Sequence, residues 1–175
     1  WSHVQPPPGA GIGHRNVIRE FTTIQAPEFG RTSIGDDCYI MTKAHIPHDG
    51  HLGDGVTVAC AVLIGGHGII GDGANLGLGA VLHQQLVVGR GAMVGMGSVV
   101  TRSVPPHAMA FGSPARVKGV NRIGMQRRGY EDTTIDELDR LIMTNPDPTD
   151  AELPGGLADD WIWFRAALEE AASVH

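Results

Sequence analysis

Two cysteines in 175 residues cannot build a disulfide framework. Cys38 and Cys60 instead read as buried or neutral thiols of a protein in a reducing cytoplasmic compartment. No apolar run reaches the roughly 20 residues of a membrane-spanning helix, and no signal peptide is evident. Basic residues are outnumbered, 13 against 19 acidic, for a net charge of -6. That balance argues against nucleic acid as the main partner. A mass of 18.5 kDa suits one main domain with a small appendage.

What is abundant is a period of six. Ile34, Ile40, Ile46, Leu52, Val58, Ile64, Ile70, Leu76, Leu82, Val88, Val94 and Val100 follow one another at that spacing, every one aliphatic. Glycine often comes next, as at Gly35, Gly53, Gly65, Gly71 and Gly77. The fifth place is mostly small, as at Cys38, Ala44, Ala74, Ala80 and Ala92. This is the pattern of a hexapeptide β-helix, an all-β solenoid with about eighteen residues per coil. The aliphatic residue points inward and the small one sits at the crowded corner. Glycine next to the strand is expected to supply turn conformations that a side chain opposes. No coil buries its apolar faces alone, so stacking makes the core.

In chain order, residues 1–11, with Pro6-Pro7-Pro8-Gly9, form an extended entry segment. The β-helix runs over 12–106, beginning with Ile12, Ile18 and Ile24. Ile34 comes ten residues after Ile24, so four residues are expected to leave the solenoid as a loop near 26–33. Pro105-Pro106 ends the repeat. Residues 107–130 read as an irregular connection, and 131–175 as a helical region. One helix there, capped by Thr133 or Thr134, carries an apolar stripe of Ile135, Leu138, Leu141 and Ile142. A second, over about 158–172, turns Trp161, Phe164, Leu168 and Ala171 to one side.

Candidate chemistry lies where the monotony breaks. With eighteen residues per coil, positions 48, 66 and 84 stack along one edge. His48 is on that column, and His67 and His83 lie one residue either side of it. His45 is close by, and the loop should overhang the same groove. Imidazoles so grouped can serve as a base with polar helpers or as a metal site. Asp49 can orient the His48 imidazole, or it can simply be a turn residue. Gly66, beside His67, can bring bare backbone and an N–H to a developing oxyanion, or be a corner glycine.

The run Met41-Thr42-Lys43-Ala44-His45-Ile46-Pro47-His48-Asp49 resembles the active-site segment of the UDP-N-acetylglucosamine 3-O-acyltransferases that begin lipid A synthesis. Gly66-His67, His83-Gln84, Arg15 to Glu20 and Gly124 to Tyr130 are similar to that family as well. The resemblance implies a left-handed parallel β-helix with a small C-terminal helical appendage, assembled as a homotrimer with active sites between subunits. His48 would be the general base, Asp49 its support and Gly66 the oxyanion donor. His45, His67, His83 and Gln84 would line the substrate groove. Asn121, Arg127 and Arg128 would serve nucleotide phosphates or an acidic acyl carrier protein. No cofactor is held, because the acyl thioester is itself the donor substrate.

Differences from the family set further expectations. Its members carry several more coils before the position of Gly13, so the chain reads as N-terminally shortened. Gln25 and Ile123 stand where a histidine and a glutamate are usual. Met96 replaces a common glycine on the acyl groove, and its bulk should shorten the accepted chain; unchanged chain-length preference in Met96→Gly would refute this. Pro105 to Val117, with Gly112-Ser113-Pro114-Ala115-Arg116, looks more like the end of coenzyme A-dependent hexapeptide acetyltransferases, which keeps coenzyme A open beside acyl carrier protein as donor and another small hydroxylated acceptor open beside the sugar nucleotide. Two other readings remain: a non-catalytic scaffold, and a zinc hydratase of the γ-carbonic anhydrase type. The hydratase needs two histidines five apart, and His83 has no partner at position 88, so no metal is expected.

Overall fold

The computed structural model describes residues 9–145 and 147–173. The expected entry segment therefore lies, up to Pro8, outside the described residues. Each hexad contributes a strand of only two residues, and three strands close one triangular coil. The first sheet stacks β1 (Gly11–Ile12), β4 (Ser33–Ile34), β7 (His51–Leu52), β10 (Ile69–Ile70) and β13 (Val87–Val88). The second contains β2 (Val17–Ile18), β5 (Tyr39–Ile40), β8 (Thr57–Val58), β11 (Asn75–Leu76) and β14 (Met93–Val94). The third contains β3 (Thr23–Ile24), β6 (His45–Ile46), β9 (Leu63–Ile64), β12 (Val81–Leu82) and β15 (Val99–Val100). All pairings within these stacks are parallel, as expected of a β-helix.

Register follows from the period. Ile69 pairs with His51 on one side and Val87 on the other, eighteen residues away each time. Ser33 pairs with Gly11, and Tyr39 with Val17, at a separation of twenty-two. The four additional residues leave the solenoid between β3 and β4, as the sequence spacing predicts. All twelve aliphatic hexad positions from Ile34 to Val100 are at most 3 % exposed. Burying each such side chain is worth about 1.5–3 kcal/mol. The first coil is different, with Ile12 and Ile18 exposed.

The expectation for the glycines after each strand needs correction. Gly35, Gly53, Gly65, Gly71 and Gly77 have no left-handed φ; clearance is what they provide. A Cβ at Gly65 would lie 2.5 Å from the Gln84 nitrogen of the next coil. The left-handed residue comes two places later, and it is often not glycine. Asp37, Lys43, Asp49, Ala61, His67 and Gln85 all hold φ between 53° and 62°. Coil stacking overcomes the local steric cost there, on the order of 1–2 kcal/mol per residue.

Residues 107–130, expected as irregular, contain a hairpin and a short helix. β16 (Ala108–Gly112) extends the second sheet beside β14, and β17 (Ala115–Val120) returns antiparallel to it. The two prolines occupy a corner rather than ending the sheet. α1 (Arg122–Arg127) follows, then α2 (Asp132–Thr144), which starts at Glu131 as N-cap instead of a threonine. The stripe of Ile135, Leu138 and Ile142 is buried, as read.

α3 (Ala158–Ala172) lies across the outer face of the first sheet. Phe164, Ala167 and Ala171 pack on Ile69 and Val87. At one end of α3, Asp160 accepts from the buried His107 imidazole at 2.7 Å and sits 3.4 Å from Arg90. The Arg90 guanidinium lies 5.0 Å over the Trp163 ring, a cation–π arrangement. Cys38 is buried and Cys60 half-buried, both free. Among the described residues no helix is long and apolar enough to cross a membrane.

Candidate active site

The edge joining the third sheet to the first carries residues 47–50, 65–68 and 83–86 in successive coils. His48 Nδ1 is 3.0 Å from Asp49 Oδ2. The neighbouring carboxylate accepts, so Nδ1 carries a proton, and in the neutral imidazole Nε2 is then the nitrogen with the lone pair. Nε2 faces the bare Cα of Gly66, where an added Cβ would sit 2.6 Å away. His67 stands edge-on to His48 with ring centres 5.1 Å apart. Its own N–H donates to the His48 carbonyl at 3.2 Å, tying the two coils together.

Asp49 is 4 % exposed, and it holds the loop. Its carboxylate accepts the N–H groups of Glu28 at 3.1 Å, Phe29 at 3.2 Å and Gly30 at 2.7 Å. Its own N–H donates to Thr32 Oγ1 at 2.9 Å. Burial opposes ionisation, but the His48 imidazole and those three N–H donors outweigh it and pull the Asp49 pKa down to about 2. The carboxylate therefore stays charged beside His48 at neutral pH. Gln25, at a position where the resembling family has histidine, accepts the His48 backbone N–H at 3.0 Å.

A cavity of about 300 Å³ opens beside this cluster. The loop supplies one wall through Phe29, Gly30 and Arg31, and the last turn of α3 supplies another through Glu170 and Ser173. Asp49, His51 and His67 line it from the solenoid. Phe29 stacks on His67 with ring centres 6.1 Å apart. His51 Nδ1 is 2.9 Å from the Ser33 hydroxyl. Burial holds His51 below the usual imidazole range, against the pull of Glu170.

Only part of the expected site comes together in one chain. His48, Asp49, Gly66 and His67 meet. His45 is partnered by Thr23 Oγ1 at 2.7 Å on the outer face of the third sheet. His83 and Gln84 are exposed one coil further along the edge, with His83 Nδ1 donating to the Gln84 carbonyl at 3.1 Å. Met96, 78 % exposed, lies on the opposite edge of the third sheet. Asn121, Arg127 and Arg128 line a separate hollow of about 650 Å³ beside the second sheet. There Asn121 caps α1 by accepting the Gly124 N–H at 3.1 Å, and Arg128 donates to the Gly73 carbonyl at 2.8 Å.

His48, Asp49 and His67 each bring a ligand atom within 4.8 Å of the others. Both Asp49 oxygens, however, are already engaged by N–H donors, so the set is a poor match for a catalytic metal. Sequence reasoning missed the loop N–H groups, Thr32, His51 and Glu170. Backbone donors leave no trace in side-chain identity, and Glu170 is brought in by a helix more than a hundred residues downstream.

Fold and site together place the chain among the hexapeptide-repeat β-helices. More particularly, a family model described as UDP N-acetylglucosamine O-acyltransferase, domain 2, matches residues 104–144. The acyl-[acyl-carrier-protein]–UDP-N-acetylglucosamine O-acyltransferase of Thermodesulfovibrio yellowstonii is 48 % identical over 135 residues, 75 % of this chain and 52 % of that protein. A UDP-N-acetylglucosamine acyltransferase structure from Campylobacter jejuni superposes with a TM-score of 0.77 at 28 % identity, covering 89 % of this chain and 67 % of that one. A perosamine N-acetyltransferase from Caulobacter crescentus, in complex with coenzyme A and GDP-perosamine, gives 0.61 at 31 % identity over 64 % of this chain and 51 % of that one. The chain spans about half the length of the curated relatives it matches. Over that stretch the resemblance to the UDP-N-acetylglucosamine O-acyltransferases is established.

Proposed function

We propose that the chain transfers an acyl group from a thioester to a hydroxyl of a sugar nucleotide, with UDP-N-acetylglucosamine as acceptor and acyl carrier protein as donor. The observation that carries this is the free Nε2 of His48, held by a buried, ionised Asp49 and facing the bare backbone of Gly66. Nε2 takes the proton as the acceptor oxygen attacks the thioester carbonyl. The Gly66 N–H, which has no hydrogen-bond acceptor among the described residues, steadies the oxyanion. On collapse the C–S bond breaks and the departing thiolate recovers the proton from His48. No cofactor takes part.

The likeness to the Thermodesulfovibrio enzyme, whose name states this donor and acceptor, supports the assignment. A homotrimer fits it. Leu63, Val81 and Val99 form an exposed apolar row on the third sheet, with the His48 edge on one side and the Met96 edge on the other. Packing through that face would set one copy's His48 edge against the next copy's Met96 edge, with Met96 nearly three coils further along the cleft, where it would limit an acyl groove. Arg127 and Arg128 suit the anionic nucleotide or carrier protein. Free thiols suit the cytoplasm. Coenzyme A as donor is the second reading, favoured by the likeness to the perosamine N-acetyltransferase structure.

Thioester cleavage tests both. The purified protein is offered a 3-hydroxyacyl carrier protein or acetyl-coenzyme A, each with UDP-N-acetylglucosamine, alongside His48→Ala. Turnover with the carrier protein, lost in the variant, is expected. Turnover with coenzyme A alone would shift the donor, and none with either would refute acyl transfer to this acceptor.

A further inference from the structure

His51 and Glu170 face each other across the cavity between the loop and α3, with Nε2 and Oε1 3.9 Å apart. That gap is too wide for a hydrogen bond and suits one bridging oxygen. The Ser33 hydroxyl engages Nδ1. With Nδ1 accepting from Ser33, Nε2–H donates to the bridging oxygen, which passes its own hydrogen to Glu170. In that tautomer the bridge takes a group that both accepts and donates, a requirement a ligand hydroxyl meets in place of water. The stacked Phe29 and His67 rings add a flat apolar surface beside it. About 300 Å³ is at the small end of ligand sites, the scale of one sugar ring. The wall contributed by α3 is a fixed one, anchored along its length by Phe164, Ala167 and Ala171 and near its start by Asp160.

We propose that this cavity seats the hydroxyl-bearing ring of the acceptor, and that Glu170 and His51 select it, so that the C-terminal helix sets acceptor specificity. The inference rests on the acyl-transfer reading and adds to it a recognition residue from outside the solenoid. Glu170 is exposed and is not itself a member of the buried cluster that seats α3, so its replacement leaves packing intact.

Steady-state transfer is measured with UDP-N-acetylglucosamine varied and 3-hydroxyacyl carrier protein saturating. Glu170→Ala should raise the acceptor KM about tenfold, the loss of one charge-assisted hydrogen bond, with the donor KM unmoved. Glu170→Gln, which still accepts, should recover part of it. An unchanged acceptor KM in Glu170→Ala, while His48→Ala abolishes turnover, overturns this inference and leaves acyl transfer standing. If the wild type cleaves no thioester, acyl transfer fails instead, and calorimetric titration with UDP-N-acetylglucosamine decides the cavity. Weaker binding by Glu170→Ala then supports it; equal binding, or none by either protein, overturns it.

Discussion

His48 and Asp49 are sequence neighbours on an edge where solvent reaches the imidazole, while His107 and Asp160 are 53 residues apart, the imidazole enclosed and the carboxylate brought to it by α3. In the first pair the histidine is 26 % exposed and its second nitrogen looks onto bare glycine backbone. In the second the histidine is 2 % exposed and its other nitrogen is buried without a partner. The carboxylates are both held below their ordinary range. Burial pushes each up, and the imidazole with its neighbouring donors more than reverses that. Identical chemistry thus leaves a ring nitrogen accessible in one place and makes a clasp in the other.

Removing one histidine at a time should separate the two roles. His48→Ala should cut turnover by about 10²–10⁴-fold, the usual contribution of a general base, with only a small loss of stability because the three loop N–H donors still hold Asp49. His107→Ala should instead cost about 1–3 kcal/mol of stability, because it removes a buried ring and its hydrogen bond and leaves Asp160 with Arg90 as its remaining partner. Its folded fraction should retain turnover. A His107→Ala protein as stable as wild type would mean that the second pair is no clasp.

Acid sharpens the contrast next. The Asp49 pKa is lowered in the folded state, so its stabilisation is complete above the unfolded value near 4 and is lost as pH falls toward about 2. Asp49→Asn should remove about 2 kcal/mol at neutral pH and flatten the acid limb of a chemical-denaturation series between pH 4 and 2. An unaltered acid limb would place the charge stabilisation elsewhere. Smallest in stability, at under about 1 kcal/mol for an edge site, is Gly66→Ala. Its added methyl should push the His48 ring aside, so turnover should fall while the unfolding midpoint stays near wild type. Full activity in that variant would remove Gly66 and its close approach from the argument.

The solenoid was legible because its signal repeats: aliphatic residues at a period of six define coils, and coils define which residues share an edge. That arithmetic located His48, Gly66 and the overhanging loop. It was silent on the hairpin of β16 and β17, whose short apolar run after two prolines has no hexad to continue. It placed the special backbone at the glycines after each strand, although the left-handed residues sit two places on, where Asp49 and His67 are among them. The His107–Asp160 clasp left no mark at all. Its partners obey no common period, and only the docking of α3 brings them together. Asn121 and Arg128 looked like ligand groups by resemblance; their hydrogen bonds also cap a helix and a corner.

The loop that leaves the solenoid after β3 does more than roof the cavity. Together with the His48 imidazole, its three N–H groups are the counterweight that keeps Asp49 ionised, and Asp49 in turn holds the His48 ring. Lifting the loop would strip those donors from the carboxylate and slacken the imidazole in the same motion. The roof of the cavity and the aim of the His48 ring therefore hang on the same three backbone donors, so that neither can be altered without the other.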